Sequence, residues 1–144
     1  MDSKKRILGI DYGGKRVGIS VSDPTNIIAR GLTVIINSGN LIDGIKSLAE
    51  EYGVGSIVVG MPFRLDGEKG EKAEEVSSFI SRLRQATGLD VVPWDERFTT
   101  REAHRTMREM GVRKMKRQSK SAIDMTAAAL ILQGYLDSLN VRKT

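Results

Sequence analysis

Two short apolar runs, 6–10 and 17–22, stand on either side of the glycine-rich reversal Asp11-Tyr12-Gly13-Gly14-Lys15-Arg16, and that pairing constrains the fold more than any other stretch. In the second run Val17, Ile19 and Val21 alternate with Gly18, Ser20 and Ser22, the period of two expected of a half-buried strand. Two strands joined by a glycine turn pair antiparallel, and Gly31 to Ile36 supplies a third strand after the Asp23-Pro24 turn. The chain therefore opens as a meander.

The period then changes. Leu41, Ile45, Leu48, Ala49 and Tyr52 mark one face of a helix that ends at Gly53. Ser56 to Gly60 is a β-branched strand of the kind buried on both faces, closed by Pro62. Phe63 to Lys72, with Asp66-Gly67 and Gly70, has the composition of a loop. Ala73, Val76, Phe79, Ile80, Leu83 and Ala86 define a second helix stopped near Gly88, and Leu89 to Trp94 a fifth strand. Thr99 and Glu102 have capping-box spacing for a helix running to about Met110. Val112 to Lys120 is a basic connection, and Ser121 to Leu139 a last helix with Ile123, Ala127, Leu130, Ile131, Gly134 and Tyr135 on or near its core side. Strand–helix–strand crossovers favour parallel pairing. The expected fold is thus α/β: a five-stranded mixed sheet, antiparallel meander first and parallel strands after, flanked by helices, in one domain over 1–144.

Of the net charge of +5, residues 101–120 carry +6: Arg101, Arg105, Arg108, Arg113, Lys114, Lys116, Arg117 and Lys120 against Glu102 and Glu109. The remainder sums to −1, so the basicity is regional. A concentrated positive segment attracts polyanions by releasing their counterions, although a solvated basic face has the same composition. The chain has no cysteine, which excludes thiolate catalysis and cysteine-bound zinc or iron–sulfur sites. Met1 to Arg6 leads into the first strand without an apolar leader or membrane span, so a soluble, cytoplasmic protein is expected.

Three acidic positions sit where chemistry is usually done. Asp11 lies one residue past the first apolar run, beside a glycine turn that lets an anionic ligand approach the backbone; a turn-forming aspartate bonded to its own downstream amides would look the same. Asp95 and Glu96 occupy another strand exit, and because neighbours on an extended chain point to opposite sides, at most one faces a given site. Asp124 precedes Ala127, Ala128 and Ile131 at helical spacing, on the packed side of the last helix, where a carboxylate needs a cation or donors. Ser121 and Asp124 equally have the spacing of a capping pair. If Asp11, Glu96 and Asp124 converge, three oxygen donors suit Mg²⁺ or Mn²⁺ rather than Zn²⁺, and the matching chemistry is phosphodiester hydrolysis by one or two metal ions. His104, on a basic amphipathic segment, is by default a surface histidine.

Taken in order, Gly9-Ile10-Asp11-Tyr12-Gly13 with Lys15-Arg16-Val17-Gly18, Val59-Gly60-Met61-Pro62 with Asp66-Gly67, Asp95-Glu96-Arg97-Phe98-Thr99-Thr100, and Lys120 with Asp124 to Ala128 and Ile131 to Leu136 resemble the Holliday-junction-resolvase-like (YqgF-type) family, also described as pre-16S rRNA nucleases, of the ribonuclease H-like superfamily. The resemblance runs almost end to end. It implies a ribonuclease H-like fold, catalytic and metal-holding acids at Asp11, Glu96 and Asp124 with Asp95 as accessory or alternative acid, and a nucleic-acid partner. That partner is precursor ribosomal RNA, in ribosomal precursor particles, or branched DNA. Substrate contacts are expected from Lys15, Arg16, Arg97, Arg113, Lys114, Lys116, Arg117 and Lys120.

Two other classes fit less of the chain. A phosphotransferase of the sugar-kinase and actin type also opens on Asp-x-Gly in a hairpin, but needs two such domains around a nucleotide cleft, and no Gly-Lys-Ser/Thr phosphate loop is present. A non-catalytic RNA-binding module accounts for the basic stretch and leaves the three acids unexplained. The few aromatics argue against base-stacking platforms.

Overall fold

The computed structural model describes residues 5–61, 70–95 and 120–142. Five strands, β1 (Arg6–Tyr12), β2 (Arg16–Ser22), β3 (Ala29–Ile36), β4 (Val54–Met61) and β5 (Asp90–Asp95), form one sheet in the order β3-β2-β1-β4-β5. β1 and β2 pair antiparallel, as do β2 and β3, whereas β4 runs parallel to β1 and to β5. The helices are α1 (Leu41–Glu51), α2 (Glu71–Thr87) and α3 (Lys120–Arg142). This is the mixed, helix-flanked sheet of ribonuclease H-like proteins.

Strand alternation sorts the sheet into two faces. Leu8 and Ile10 of β1, Val17, Ile19 and Val21 of β2, Ile57, Val59 and Met61 of β4 and Val91 of β5 pack with Leu41, Ile45, Phe79, Ile80 and Leu83 of α1 and α2. Ile7 and Val58 look the other way, onto Ala129, Ile131, Leu132 and Leu136 of α3. Trp94 joins this second core, its ring edge-on to Tyr135 at 5.7 Å.

α3 lies close on the meander because the strand residues beneath it are glycines. A Cβ at Gly18 would stand 2.2 Å from the Asp124 carbonyl oxygen, at Gly9 2.6 Å from Leu132 Cβ, and at Gly31 2.8 Å from Met125 Cβ. Ser20 Oγ, fully buried, donates to the Ala128 carbonyl at 2.8 Å, and Gln133 spans to the start of β3, donating to the Ile27 carbonyl and accepting the Ala29 N–H, both at 2.9 Å. Side chains thus fasten the helix where the glycines let it approach.

Several expectations change in detail. β1 continues through Asp11 and Tyr12, β3 begins at Ala29, and β4 extends to both sides of the expected strand, since each stays paired with its neighbour that far. Lys72 belongs to α2 and not to the preceding loop. Ile131 and Gly134 are buried and Leu130 and Tyr135 pack on the core as expected, but Ile123 is 45% exposed, and Ala122, Ala128, Ala129, Leu132 and Leu136 complete the buried stripe of α3. Pro62, the loop motif Asp66-Gly67 and the helix expected after Thr99 lie outside the described residues.

Candidate active site

Asp11 lies within β1 directly opposite Gly18 of β2, on the face it shares with Ile7 and Gly9 and on which α3 packs. Asp124 enters from that helix, whose backbone touches Gly18. The two carboxylates, separated by most of the chain, therefore converge through one strand pair. α3 is already helical at Lys120, and Asp124 is past its first turn, which leaves Ser121 no place as an N-cap. The explanation of Asp124 as a capping acid loses its geometry.

The Asp11 carboxyl is held above the usual carboxylate range, first by burial, then by the negative charge of Asp124, with Lys72 acting in the opposite sense. Among the described residues no hydrogen-bond donor reaches it. Asp124 is compensated from within the fold: Arg16 Nε donates to its Oδ2 at 2.7 Å. The hairpin that carries Arg16 is braced by Asn37, whose side chain donates to the Gly13 carbonyl at 2.8 Å and whose backbone N–H donates to the Lys15 carbonyl at 2.9 Å. Gly13 is required there, since a Cβ would stand 2.3 Å from the Arg16 carbonyl oxygen. Lys15 is exposed at the turn. Beside it, Tyr12 packs on Phe79 with ring centroids 4.5 Å apart, and Lys72 Nζ lies 5.3 Å over the Tyr12 ring.

Asp95 pairs with Met61 and has the parity of Val91, so it belongs to the α1–α2 face, opposite that of Asp11. Glu96, Arg97, His104, Arg113, Lys114, Lys116 and Arg117 lie outside the described residues, and of Lys120 the structure describes only its place at the start of α3. Among the described residues no group of three potential metal ligands is assembled. The donors that are described, two carboxylates with one partly buried beside the charge of the other, suit a hard cation. Sequence reasoning missed Lys72, hidden by its reading as loop, and the glycine floor under α3, whose signal was the alternation of Gly18 with the apolar residues of β2.

The sequence profile of the RuvX family, described as Holliday junction resolvase, matches residues 5–138. The chain belongs to the RuvX family. Among curated relatives, a protein of Ruminiclostridium cellulolyticum named "Putative pre-16S rRNA nuclease" is 42% identical over 137 residues, covering 93% of this chain and 95% of that protein. One of the same name from Acetivibrio thermocellus is 45% identical, covering 92% and 96%. Among solved structures, Thermus thermophilus RuvC in complex with a Holliday junction superimposes with a TM-score of 0.68 at 15% identity over 96% of each chain. The fowlpox virus Holliday junction resolvase gives 0.56 at 11% identity over 93% and 99%. At such identities the superpositions show a shared fold. The match to the RuvX family includes both Asp11 and Asp124.

Proposed function

We propose that this chain is a single-domain, metal-dependent nuclease that processes precursor 16S rRNA in the cytoplasm, with Asp11, Glu96 and Asp124 holding Mg²⁺ or Mn²⁺. The observation that carries the proposal is the convergence of Asp11 and Asp124 on one face of the sheet, with Asp11 partly buried beside a like charge and no hydrogen-bond donor to it among the described residues. Such a carboxylate is costly unless a cation joins it. The parity of β5 favours Glu96 over its neighbour as third acid, because Asp95 belongs to the opposite face. The choice of RNA over DNA rests on the names of the curated relatives.

When bound, the ion supplies an activated water and neutralises charge building on the phosphate. The chain's own residues do the rest. Asp11, fixed within a paired strand, and Asp124, fixed by the close packing of α3, keep the donor atoms in place without the freedom of loop side chains. Lys15 offers a cation to phosphate at the exposed turn, and Arg97, Arg113, Lys114, Lys116, Arg117 and Lys120 supply further phosphate contacts, which set position and affinity and carry no sequence information.

The test is cleavage of labelled precursor-rRNA fragments and of four-way DNA junctions side by side, with Mg²⁺, with Mn²⁺ and with excess EDTA. Metal-dependent cleavage of the RNA alone is the expected result. Cleavage of the junction alone would favour the activity in the family's description, and undiminished cleavage in EDTA would overturn the metal mechanism. Binding without any cleavage would favour a non-catalytic RNA-binding protein.

A further inference from the structure

The fold brings its own cation to Asp124. Arg16 opens β2, opposite Ile36 of β3, and its Nε meets Asp124 Oδ2 at 2.7 Å although the two residues are 108 positions apart. Neither side chain is free in solvent, with exposures of 35% and 23%. Both ends of the contact are fixed by packing: two residues beyond Arg16, Gly18 lies against the backbone of Asp124, and Asn37 clamps the turn that precedes it. A charge-assisted bond formed between such positioned groups is among the stronger hydrogen bonds a protein makes.

A guanidinium and a divalent cation cannot both hold this carboxylate without repelling each other at short range. We propose that Arg16 is a positioning residue that stands in for the metal at Asp124. It holds the carboxylate in the metal-free protein and yields it when a divalent ion binds. Its fork of donors is then left at the edge of the site, where a substrate phosphate can take it. The inference rests on the metal-dependent function proposed above and adds a coupling to it. Ion loading works against the Arg16–Asp124 pair, and substrate phosphate relieves that opposition by engaging the released side chain. Arg16 thereby keeps Asp124 in place and neutralised before the cation arrives.

The test reads metal binding directly, without turnover: Mn²⁺ titrations followed by electron paramagnetic resonance on the wild type, R16Q, R16K and D124N, with melting temperatures in EDTA. R16Q is expected to bind Mn²⁺ about tenfold more tightly, the lower end of what a hydrogen bond to a charged group contributes, and to melt at a lower temperature without metal. R16K, which keeps the charge and loses the fork, should fall between wild type and R16Q on both measures. D124N should bind Mn²⁺ more weakly. Equal or weaker Mn²⁺ affinity in R16Q, alongside a loss in D124N, would overturn the role of Arg16 and leave the metal site standing. Wild-type affinity in D124N, or no binding by the wild type, would remove the metal site and the inference with it. An unchanged melting temperature of R16Q in EDTA would also count against the proposal. Should R16Q not fold, R16K decides by the same criteria.

Discussion

Asp11 and Asp23 are written alike in the sequence, each an acid at the end of a strand with turn residues next to it, yet the structure treats them in opposite ways. Asp23 Oδ1 accepts the N–H groups of Ile27 and Ile28, both at 2.8 Å, and its Oδ2 accepts the Thr25 N–H at 3.0 Å and the Thr25 hydroxyl. These donors, the Ile28 amide first among them, hold its carboxyl well below the usual range. Asp11, partly buried beside another carboxylate, is held above it. A turn-forming aspartate gathers its compensation within five residues of its own chain. Asp11 gathers none there, and what offsets its charge must come from outside the hairpin. The turn reading that fits both positions on paper is realised at Asp23 alone.

The largest way to break this contrast is catalytic. If these acids hold the ion as proposed, D11N, E96Q and D124N should each lower metal-dependent cleavage by about 10²–10³-fold, because the amide keeps the shape and loses the charge. Substrate binding, measured by filter retention, should largely survive in all three. D23N should cleave at the wild-type rate, and a comparable loss there would show that the two aspartates differ in less than their surroundings imply. Full activity in E96Q with an inactive D95N would reverse the choice between those neighbours.

Next in size is the packing that separates the two ends of β2. G18A drives a methyl group into the backbone of Asp124 and should cost about 1–3 kcal/mol of stability in urea denaturation, the usual range for overpacking. G14A, at the same hairpin with open space around it, should leave stability near wild type. Equal midpoints for the two would mean that α3 does not depend on the glycine floor.

A smaller effect distinguishes the aspartates by sign. In EDTA at neutral pH, D11N should raise the melting temperature by roughly 2–4 °C, the shift that about 1 kcal/mol gives a chain of this size, since the substitution removes a buried like charge. D23A should lower it, because four donors at the turn lose their acceptor. A destabilised D11N would show that Asp11 is compensated within the chain after all.

What could be read from sequence follows from how local each cause is. The strands and the first two helices announce themselves in their own periodicity, and the meander follows from the glycine turn. The full order β3-β2-β1-β4-β5 is less local: the meander sets β3, β2 and β1 side by side, but it is the crossover through α1 that carries the chain past them to place β4 beside β1. The face of α3 differs from expectation at Ile123, because the stripe is set by the strand glycines and by Ser20, which lie at the far end of the sequence. The Arg16–Asp124 bond is hidden for the same reason: each residue has an ordinary local role, in a turn and on a helix, and only the register of β2 beneath α3 brings them together. For Asp95 the sequence says only that it and Glu96 point to opposite sides; which face Asp95 takes becomes visible once its pairing with Met61 is known.

The smallest expected effect is the pH dependence that the two aspartates impose. For Asp23 the folded-state pKa is depressed, so its contribution to stability is complete above the unfolded value of 3.8 and is lost as pH falls from there toward the folded value. For Asp11 the folded-state pKa is raised, so the metal-free protein bears no penalty from it below 3.8 and an increasing one as pH rises through the folded value. The urea midpoint of wild type minus that of D23A should therefore shrink as pH falls below about 4, whereas that of D11N minus wild type should shrink toward zero as pH falls to about 4. The Asp23 difference should be modest, because its carboxylate is exposed and solvent screens it. Under the proposed metal role of Asp11, saturating Mn²⁺ should abolish the D11N advantage at neutral pH and leave the Asp23 difference untouched, since Asp23 already has its donors within its own turn.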